Sequence, residues 1–191
     1  MRGSRRAFLA AALAFLAAPA LADEAAAWAA LRAGGHVALI RHASTESGLG
    51  DPPGYKLDDC ATQRNLSPAG REESRRLGER FRKEGVVVEK VYTSPWCRCR
   101  DTAREAFGKS EDWAALSSFF DDRSRAADLT ERVKNRIGTY STRRPKGTIV
   151  MVTHNVNIAA LTDLSVGMGE VVVVRPDGCC GLRVVGRIRI G

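Results

Sequence analysis

The feature that most constrains this chain is a short apolar run that ends in an arginine and a histidine. Val37-Ala38-Leu39-Ile40 is followed by Arg41-His42, and the chain then becomes polar and rich in glycine. Four apolar residues bounded by turn-forming residues are typical of a buried strand. The pattern recurs where Ile149-Val150-Met151-Val152 is followed by Thr153-His154. Two of the three histidines therefore follow directly on predicted buried strands.

The order of predicted elements indicates an α/β fold. Strands that alternate with helices favour a mostly parallel sheet. A chain of 191 residues is typical of one domain, and we assign 23–191 to it. The predicted helices are 23–32, 67–81, 98–107, 129–140 and 158–161; the predicted strands are 37–40, 86–88, 91–93, 149–152 and the hairpin 170–174 with 182–190; and 113–120 is ambiguous between strand and loop.

The first 22 residues have the pattern of an export signal. Arg5-Arg6 precedes an alanine-rich apolar run, 7–18, and Ala20-Leu21-Ala22 resembles a signal-peptidase cleavage site. The run is shorter than the roughly 20 apolar residues of a membrane-spanning helix. The paired arginines favour the twin-arginine route, with the general secretory route and a retained N-terminal anchor as alternatives. We therefore expect an exported, periplasmic protein with no stable membrane span.

The net charge of the chain indicates which kinds of ligand or partner it could bind. The chain has 30 basic and 22 acidic residues, and loss of Arg2, Arg5 and Arg6 with the leader lowers its formal net charge from +8 to +5. Such an excess favours anionic ligands or membrane surfaces. No run of Lys and Arg with interleaved aromatic residues is present, so we predict no nucleic-acid binding.

The five cysteines leave several pairings open. They are Cys60, Cys97, Cys99, Cys179 and Cys180. An odd number leaves one thiol unpaired within a monomer in an oxidising compartment. Cys60 could bond to Cys97 or to Cys99, or make no bond. None of the spacings matches a zinc site.

Candidate ligand-binding residues follow three predicted strands: Arg41-His42, the segment 94–98 with Arg98, and Thr153-His154. In open α/β sheets, ligands bind beyond the carboxyl ends of the strands. Guanidinium forks fit pairs of phosphate oxygens. Nearby positive charge disfavours the protonated form of a histidine, and neutral imidazole is a competent nucleophile. The residues therefore predict a metal-free pocket for a phosphoryl group.

Four segments, in this order, resemble the histidine phosphatase superfamily, the relatives of phosphoglycerate mutase. They are Arg41-His42-Ala43-Ser44-Thr45, the stretch 65–71 that begins Asn65-Leu66-Ser67-Pro68, Ser94-Pro95-Trp96-Cys97-Arg98, and Val152-Thr153-His154. Ala43 stands where the family signature has glycine.

The resemblance implies a three-layer α/β/α sandwich with a mostly parallel central sheet and neither a metal nor an organic cofactor. It implies that His42 is the phosphorylated nucleophile. Arg41 and Arg98 would clamp the phosphate, and His154 would stabilise the transferring group. Thr45 and Asn155 are further candidates for substrate binding.

The general acid is where this chain departs from the family. Many members have a glutamate after the helix that carries the second arginine, whereas this chain has Leu116-Ser117-Ser118 there. Other members have a His-Asp pair after the last strand, where this chain has Asn155. Asp121 and Asp122 are the nearest substitutes, with Glu46 more distant, although a solvated turn is the alternative for the aspartates.

The resemblance therefore implies an exported phosphomonoesterase that acts on a small phosphorylated substrate and releases phosphate. A mutase is disfavoured, because free phosphoglycerates are cytosolic. The leader and the cysteines at 60 and 97 resemble envelope members, including those linked to lipopolysaccharide core phosphates. From a different class, the alternative is an inactive envelope module of the same fold that binds phosphate or a partner. The sequence predicts neither the natural substrate nor the oligomeric state.

Overall fold

The computed structural model describes residues 19–143, 145–178 and 181–190, and a mixed sheet lies at its centre. The strand order is β3-β2-β4-β1-β5-β6. The pairs β1–β4, β2–β4 and β2–β3 are parallel, and the pairs β1–β5 and β5–β6 are antiparallel. The predicted mostly parallel sheet is thus confirmed. The strands are β1 (Val37–Arg41), β2 (Val88–Thr93), β3 (Glu111–Asp112), β4 (Thr148–Thr153), β5 (Val171–Asp177) and β6 (Gly181–Ile188).

Helices cover both faces of the sheet, which confirms the three-layer sandwich. The core on one face includes side chains of α1, α2 and α3. The core on the other face includes side chains of α4 and α5. The helices are α1 (Pro19–Ala33), α2 (Pro68–Lys83), α3 (Cys97–Phe107), α4 (Ala126–Thr142) and α5 (Asn155–Thr162), and short 3₁₀ turns occur at Cys60–Thr62, Ala114–Leu116 and Arg123–Arg125.

The local signals explain why these elements form. In β1, Ala38 and Ile40 pack into one core and Val37 and Leu39 into the other, so the whole run is apolar. Helix α2 begins as predicted, because the Ser67 hydroxyl accepts a hydrogen bond from the Gly70 amide.

One local prediction was wrong, and one ambiguous stretch is resolved. Strand β2 continues through Glu89-Lys90, which we expected to break it, with an irregularity in pairing between Val88 and Lys90. Glu89 is tolerated there because its carboxylate accepts a hydrogen bond from the Gly147 amide at 2.8 Å. The ambiguous stretch 113–120 contains the 3₁₀ turn Ala114–Leu116, and the short strand β3 precedes it unpredicted.

One of the open cysteine pairings is settled. Cys60 is bonded to Cys97, and Cys99 is free and buried. Cys179, Cys180 and residues 1–18 lie outside the described residues, so the export signal stays a prediction. No helix in the described ranges is both long and apolar enough to cross a membrane.

Candidate active site

Three adjacent parallel strands bring the predicted residues to one edge of the sheet. β4 lies between β1 and β2, and its register pairs Thr153 with Arg41 on β1. The His42 amide, one residue beyond β1, donates a hydrogen bond to the Thr153 carbonyl at 3.0 Å. The ring centroids of His42 and His154 are 5.4 Å apart. The two strand-end histidines therefore share one site.

A cavity of about 190 Å³ opens at this edge. Six of the predicted site residues line it: Arg41, His42, Arg98, Asp121, His154 and Asn155. Asp51 and Arg64 also line it, and neither was among the predicted site residues. The exposed side chains of Leu49 and Phe120 lie at the same cavity.

His42 is held as a neutral imidazole with one free nitrogen. Its Nδ1 lies 2.9 Å from the Ala43 carbonyl oxygen, and because a carbonyl only accepts, Nδ1 carries the proton. Nε2 has no hydrogen-bond partner within the described chain. Burial, followed by the charge of Arg98, lowers the pKa of His42 to about 3. At neutral pH the Nε2 lone pair is therefore available to an electrophile.

His154 is oriented by Ser94, a residue whose role the sequence did not reveal. The Ser94 hydroxyl lies 2.8 Å from Nε2 of His154 and accepts a hydrogen bond from the Trp96 amide at 3.4 Å. This contact orients the ring, with Nε2 of His154 facing the Ser94 hydroxyl. Burial, followed by His42, lowers the pKa of His154 well below its ordinary value, so the ring is neutral.

The free thiol of Cys99 borders the same imidazole. Its Sγ lies 3.5 Å from Nε2 of His154 and 3.6 Å from the Thr153 carbonyl oxygen. Complete burial raises the pKa of Cys99 to about 12. The thiol is therefore un-ionised at neutral pH and is not a nucleophile here.

Three guanidinium groups surround His42, each with an unsatisfied donor. Nη1 of Arg41 donates to the Val166 carbonyl oxygen at 2.7 Å, and Nη1 of Arg64 donates to the Gly48 carbonyl oxygen. The Nε atoms of Arg41, Arg64 and Arg98 are buried and have no hydrogen-bond partner in the described ranges. Burial, followed by the neighbouring guanidiniums, lowers the pKa of Arg41 and of Arg64. Clustered cations with unused donors form a site for an anion.

Asp51 is the carboxylate inside this cluster. Its oxygens lie 2.7 and 3.0 Å from the two terminal nitrogens of Arg98. The Trp96 indole nitrogen and the Arg64 amide also donate to it, at 3.1 and 3.0 Å. Burial by itself would raise the pKa of Asp51, but these hydrogen bonds and the Arg98 charge outweigh it and lower the pKa. Asp51 is therefore ionised.

Two of the predicted residues do not line the cavity. The Thr45 hydroxyl faces Met168 Sδ at 3.9 Å, because the backbone of Thr45 pairs with Leu66 beside α2. Asp122 accepts hydrogen bonds from the amide and hydroxyl of Ser124 and caps a 3₁₀ turn. The Thr45 side chain thus contacts a distant methionine and the Asp122 side chain caps its own turn, so the structure does not bring either of them to the cavity.

The remaining candidates differ in how firmly they are held. Asn155 is the first residue of α5, and its Oδ1 accepts a hydrogen bond from the Val166 amide at 2.8 Å. Asp121 is exposed at the cavity, and its one side-chain partner within the described chain is the Tyr55 hydroxyl at 3.4 Å. Glu46 is exposed and does not line the cavity. Asp121 is thus the candidate acid that the geometry leaves in place.

Sequence reasoning missed the residues whose roles depend on tertiary contacts. Arg64 directly precedes the Asn65-Leu66-Ser67-Pro68 segment, and a basic residue next to a family-like segment was the available signal. Asp51 lies in a loop rich in glycine and proline, where nothing local marks it. Within the described residues, no group of three or more His, Cys, Asp or Glu side chains has metal-binding geometry.

Comparisons with known proteins show what this chain is similar to. Residues 37–115 match the model of the histidine phosphatase superfamily, branch 1. No curated protein sequence matches the chain. The fold is similar to that of the protein histidine phosphatase SixA, solved with tungstate: 17% identity, 80% of this chain and 96% of that chain covered, TM-score 0.55.

Two further solved structures have the same fold. A mycobacterial glucosyl-3-phosphoglycerate phosphatase is 16% identical, with 78% of this chain and 96% of that chain covered and a TM-score of 0.57. A phosphoserine phosphatase of Entamoeba histolytica, solved with 3-phosphoglyceric acid, is 15% identical, with 81% and 97% covered and a TM-score of 0.56. Identities this low establish a shared fold. Residues 37–115 therefore resemble the histidine phosphatase superfamily, and the chain shares its fold with solved phosphatases.

Proposed function

We propose that this protein is an exported phosphomonoesterase that hydrolyses small phosphate esters through a phosphorylated His42. The match of residues 37–115 to the histidine phosphatase superfamily and the phosphatases among the similar folds support a phosphatase in general. One observation carries the finer proposal. Within the described residues, the buried Nε atoms of three arginines near His42 have no hydrogen-bond partner, and neither does Nε2 of the neutral His42 imidazole.

The site has the sign of charge that a phosphomonoester needs. Arg41, Arg64 and Arg98 contribute three positive charges, and Asp51 and the exposed Asp121 are the two carboxylates of the lining, which leaves a formal net charge of +1. A phosphomonoester anion is attracted to this positive excess. Each hydrogen bond between charged groups contributes roughly 1.5–3 kcal/mol, so the three free guanidinium donors would hold the phosphoryl oxygens firmly.

Transfer uses the free nitrogen of His42. Nε2 attacks phosphorus, the N–P bond forms as the bond to the ester oxygen breaks, and the leaving group departs as an alcohol or phenol once protonated. The Nδ1 hydrogen bond to the Ala43 carbonyl stabilises the positive charge that develops on the ring. The guanidinium groups neutralise the equatorial oxygens, and the His154 ring lies beside His42 at the same cavity. Water then cleaves the N–P bond and releases phosphate.

The leaving group receives little assistance from a positioned acid. Asp51 is ionised, Asp122 is engaged in capping, and Asp121 is exposed with one long hydrogen bond. We therefore expect aryl phosphates, or phosphohistidine, to be hydrolysed faster than sugar phosphates, because their leaving groups need no proton donor. Measuring kcat for p-nitrophenyl phosphate and for a hexose phosphate tests this, and equal values contradict it.

Two variants at neighbouring positions distinguish the roles of Asp121 and Asp122. If Asp121 supplies a proton to poor leaving groups, Asp121→Asn slows the hexose phosphate and leaves p-nitrophenyl phosphate nearly unchanged. Asp122→Asn is the matched control and should affect neither substrate. Equal losses in the two variants would exclude a specific role for Asp121.

The activity itself has a direct test. The purified protein is incubated with p-nitrophenyl phosphate and a chelator, beside His42→Ala. Turnover that survives the chelator and disappears in the variant supports the proposal, and mass spectrometry should find acid-labile phosphate on His42. Absence of turnover at every pH would instead support an inactive phosphate-binding module, the second candidate, which the weakly held Asp121 favours.

Export rests on two observations. The leader has a twin-arginine pattern before its apolar run. The Cys60–Cys97 disulfide is typical of an oxidising compartment. Fractionation of cells that produce the full chain should recover the protein in the periplasm, shortened at its N-terminus, and recovery of the full-length chain from the cytosol would contradict export.

A further inference from the structure

Arg98 has one edge occupied and another edge free. Its Nη1 and Nη2 atoms form a fork on the carboxylate of Asp51, at 2.7 and 3.0 Å. Its Nε atom is buried and has no partner in the described ranges. A guanidinium carries five donors, and the edge made of Nε and the second hydrogen of Nη2 remains unused. That edge is a bidentate site for two oxygens of one anion.

Asp51 is not a stand-in for the substrate phosphate. Its side chain is 3% exposed, and the Trp96 indole and the Arg64 amide donate to it in addition to Arg98. Trp96 is itself buried. A phosphoryl group that displaced the carboxylate would leave these donors buried without an acceptor, which is unfavourable. We therefore expect the contact between Asp51 and Arg98 to persist when the site is occupied.

From this geometry we propose that Asp51 is a positioning residue for Arg98. It holds the guanidinium by its terminal edge, so that the Nε–Nη2 edge stays turned to the phosphoryl group. The inference deepens the proposed function, on which it rests, because it assigns a residue of the same site that does not touch substrate.

Electrostatics alone predicts the opposite effect of removing this carboxylate. A negative charge inside an anion site repels the anion, so its neutralisation would tighten phosphate binding. If Asp51 acts by orienting Arg98, neutralisation loosens phosphate binding instead, because the free edge turns away. The sign of the change in affinity therefore discriminates between the two accounts.

The probe is inorganic phosphate, and the measurement is isothermal titration calorimetry on the purified protein. We expect Asp51→Asn to weaken phosphate binding at least about tenfold, the loss typical of one hydrogen bond between charged groups. Unchanged or tighter binding overturns the proposal. The readout needs no turnover: normal phosphate binding without hydrolysis would refute the proposed function and leave the positioning role standing.

The same substitution in an Arg98→Ala background is the matched control. With no guanidinium to orient, Asp51→Asn should cause no further loss there, and removal of the charge should restore some affinity. An equal loss in both backgrounds means that Asp51 acts on the fold generally, and it overturns the proposal.

A second variant covers the case in which Asp51→Asn does not fold. Asp51→Glu keeps the charge but moves the carboxylate by one methylene group. We expect it to weaken phosphate binding and lower kcat for p-nitrophenyl phosphate. Wild-type affinity in Asp51→Glu would show that the position of the carboxylate is unimportant, against the proposal.

Discussion

Removal of the Cys60–Cys97 disulfide should destabilise the fold by an amount that follows from its place in the chain. The two cysteines are separated by 37 residues in sequence. In the chain-entropy model, removing a cross-link that closes a loop of this length raises the conformational entropy of the unfolded chain. The free energy of unfolding then falls by about 4 kcal/mol. Native proteins typically have a free energy of unfolding of about 5–15 kcal/mol, so this loss is a large fraction of it.

The assay is urea unfolding of the wild type and of Cys60→Ala/Cys97→Ala, monitored by circular dichroism. We expect the free energy of unfolding to fall by about 4 kcal/mol in the double variant. Reductant should produce a similar fall in the wild type and none in the double variant, which is the matched control. A fall below about 1 kcal/mol in either comparison would refute the loop-entropy argument.

The same perturbation has a functional side. The disulfide joins the turn that precedes Arg64 to the start of α3, beside Arg98. The Gln63 side chain accepts a hydrogen bond from the Cys97 amide at 3.0 Å, which is a second link between the same two segments. The folded Cys60→Ala/Cys97→Ala variant should therefore bind inorganic phosphate more weakly than the wild type does. Unchanged affinity would show that the two arginines are positioned without the covalent link.

Two further predictions concern the pH dependence of stability and the close packing around Gly70. The pKa of His42 in the folded state, about 3, lies below its unfolded value of 6.5, so its stabilising contribution is complete above pH 6.5 and is lost as pH falls toward 3. Urea unfolding between pH 6 and 4 should show a slope about 1.4 kcal/mol per pH unit steeper in wild type than in His42→Asn, and equal slopes would contradict this. Gly70→Ala should cost about 1–3 kcal/mol or more, because its Cβ would lie 1.8 Å from the Ser44 carbonyl oxygen. The control Gly138→Ala, in α4 with no described atom within 4 Å, should be neutral or stabilising, and equal costs would refute the packing argument.

How much could be predicted depended on the range of the interactions. The run Val37–Ile40 and the Ser67-Pro68 cap act through near neighbours, so strand β1 and the start of α2 followed from sequence. The placement of His42 and His154 in one site followed from parallel strand ends. The contact between Asp51 and Arg98 joins a loop to a helix, and no periodicity or cap marks such a pair. Glu89 misled for the same reason, because its partner is the distant Gly147.

The first turn of α3 carries three successive side chains with three different attachments. Cys97 is covalently tied to the Cys60 turn, Arg98 reaches the anion cavity, and Cys99 borders the imidazole of His154. These residues share one rigid turn, so none of the three can shift without moving the other two. Engineering that aims to re-shape substrate preference should therefore leave this turn intact and vary the exposed rim at Leu49 and Phe120, whose side chains border the cavity without such ties.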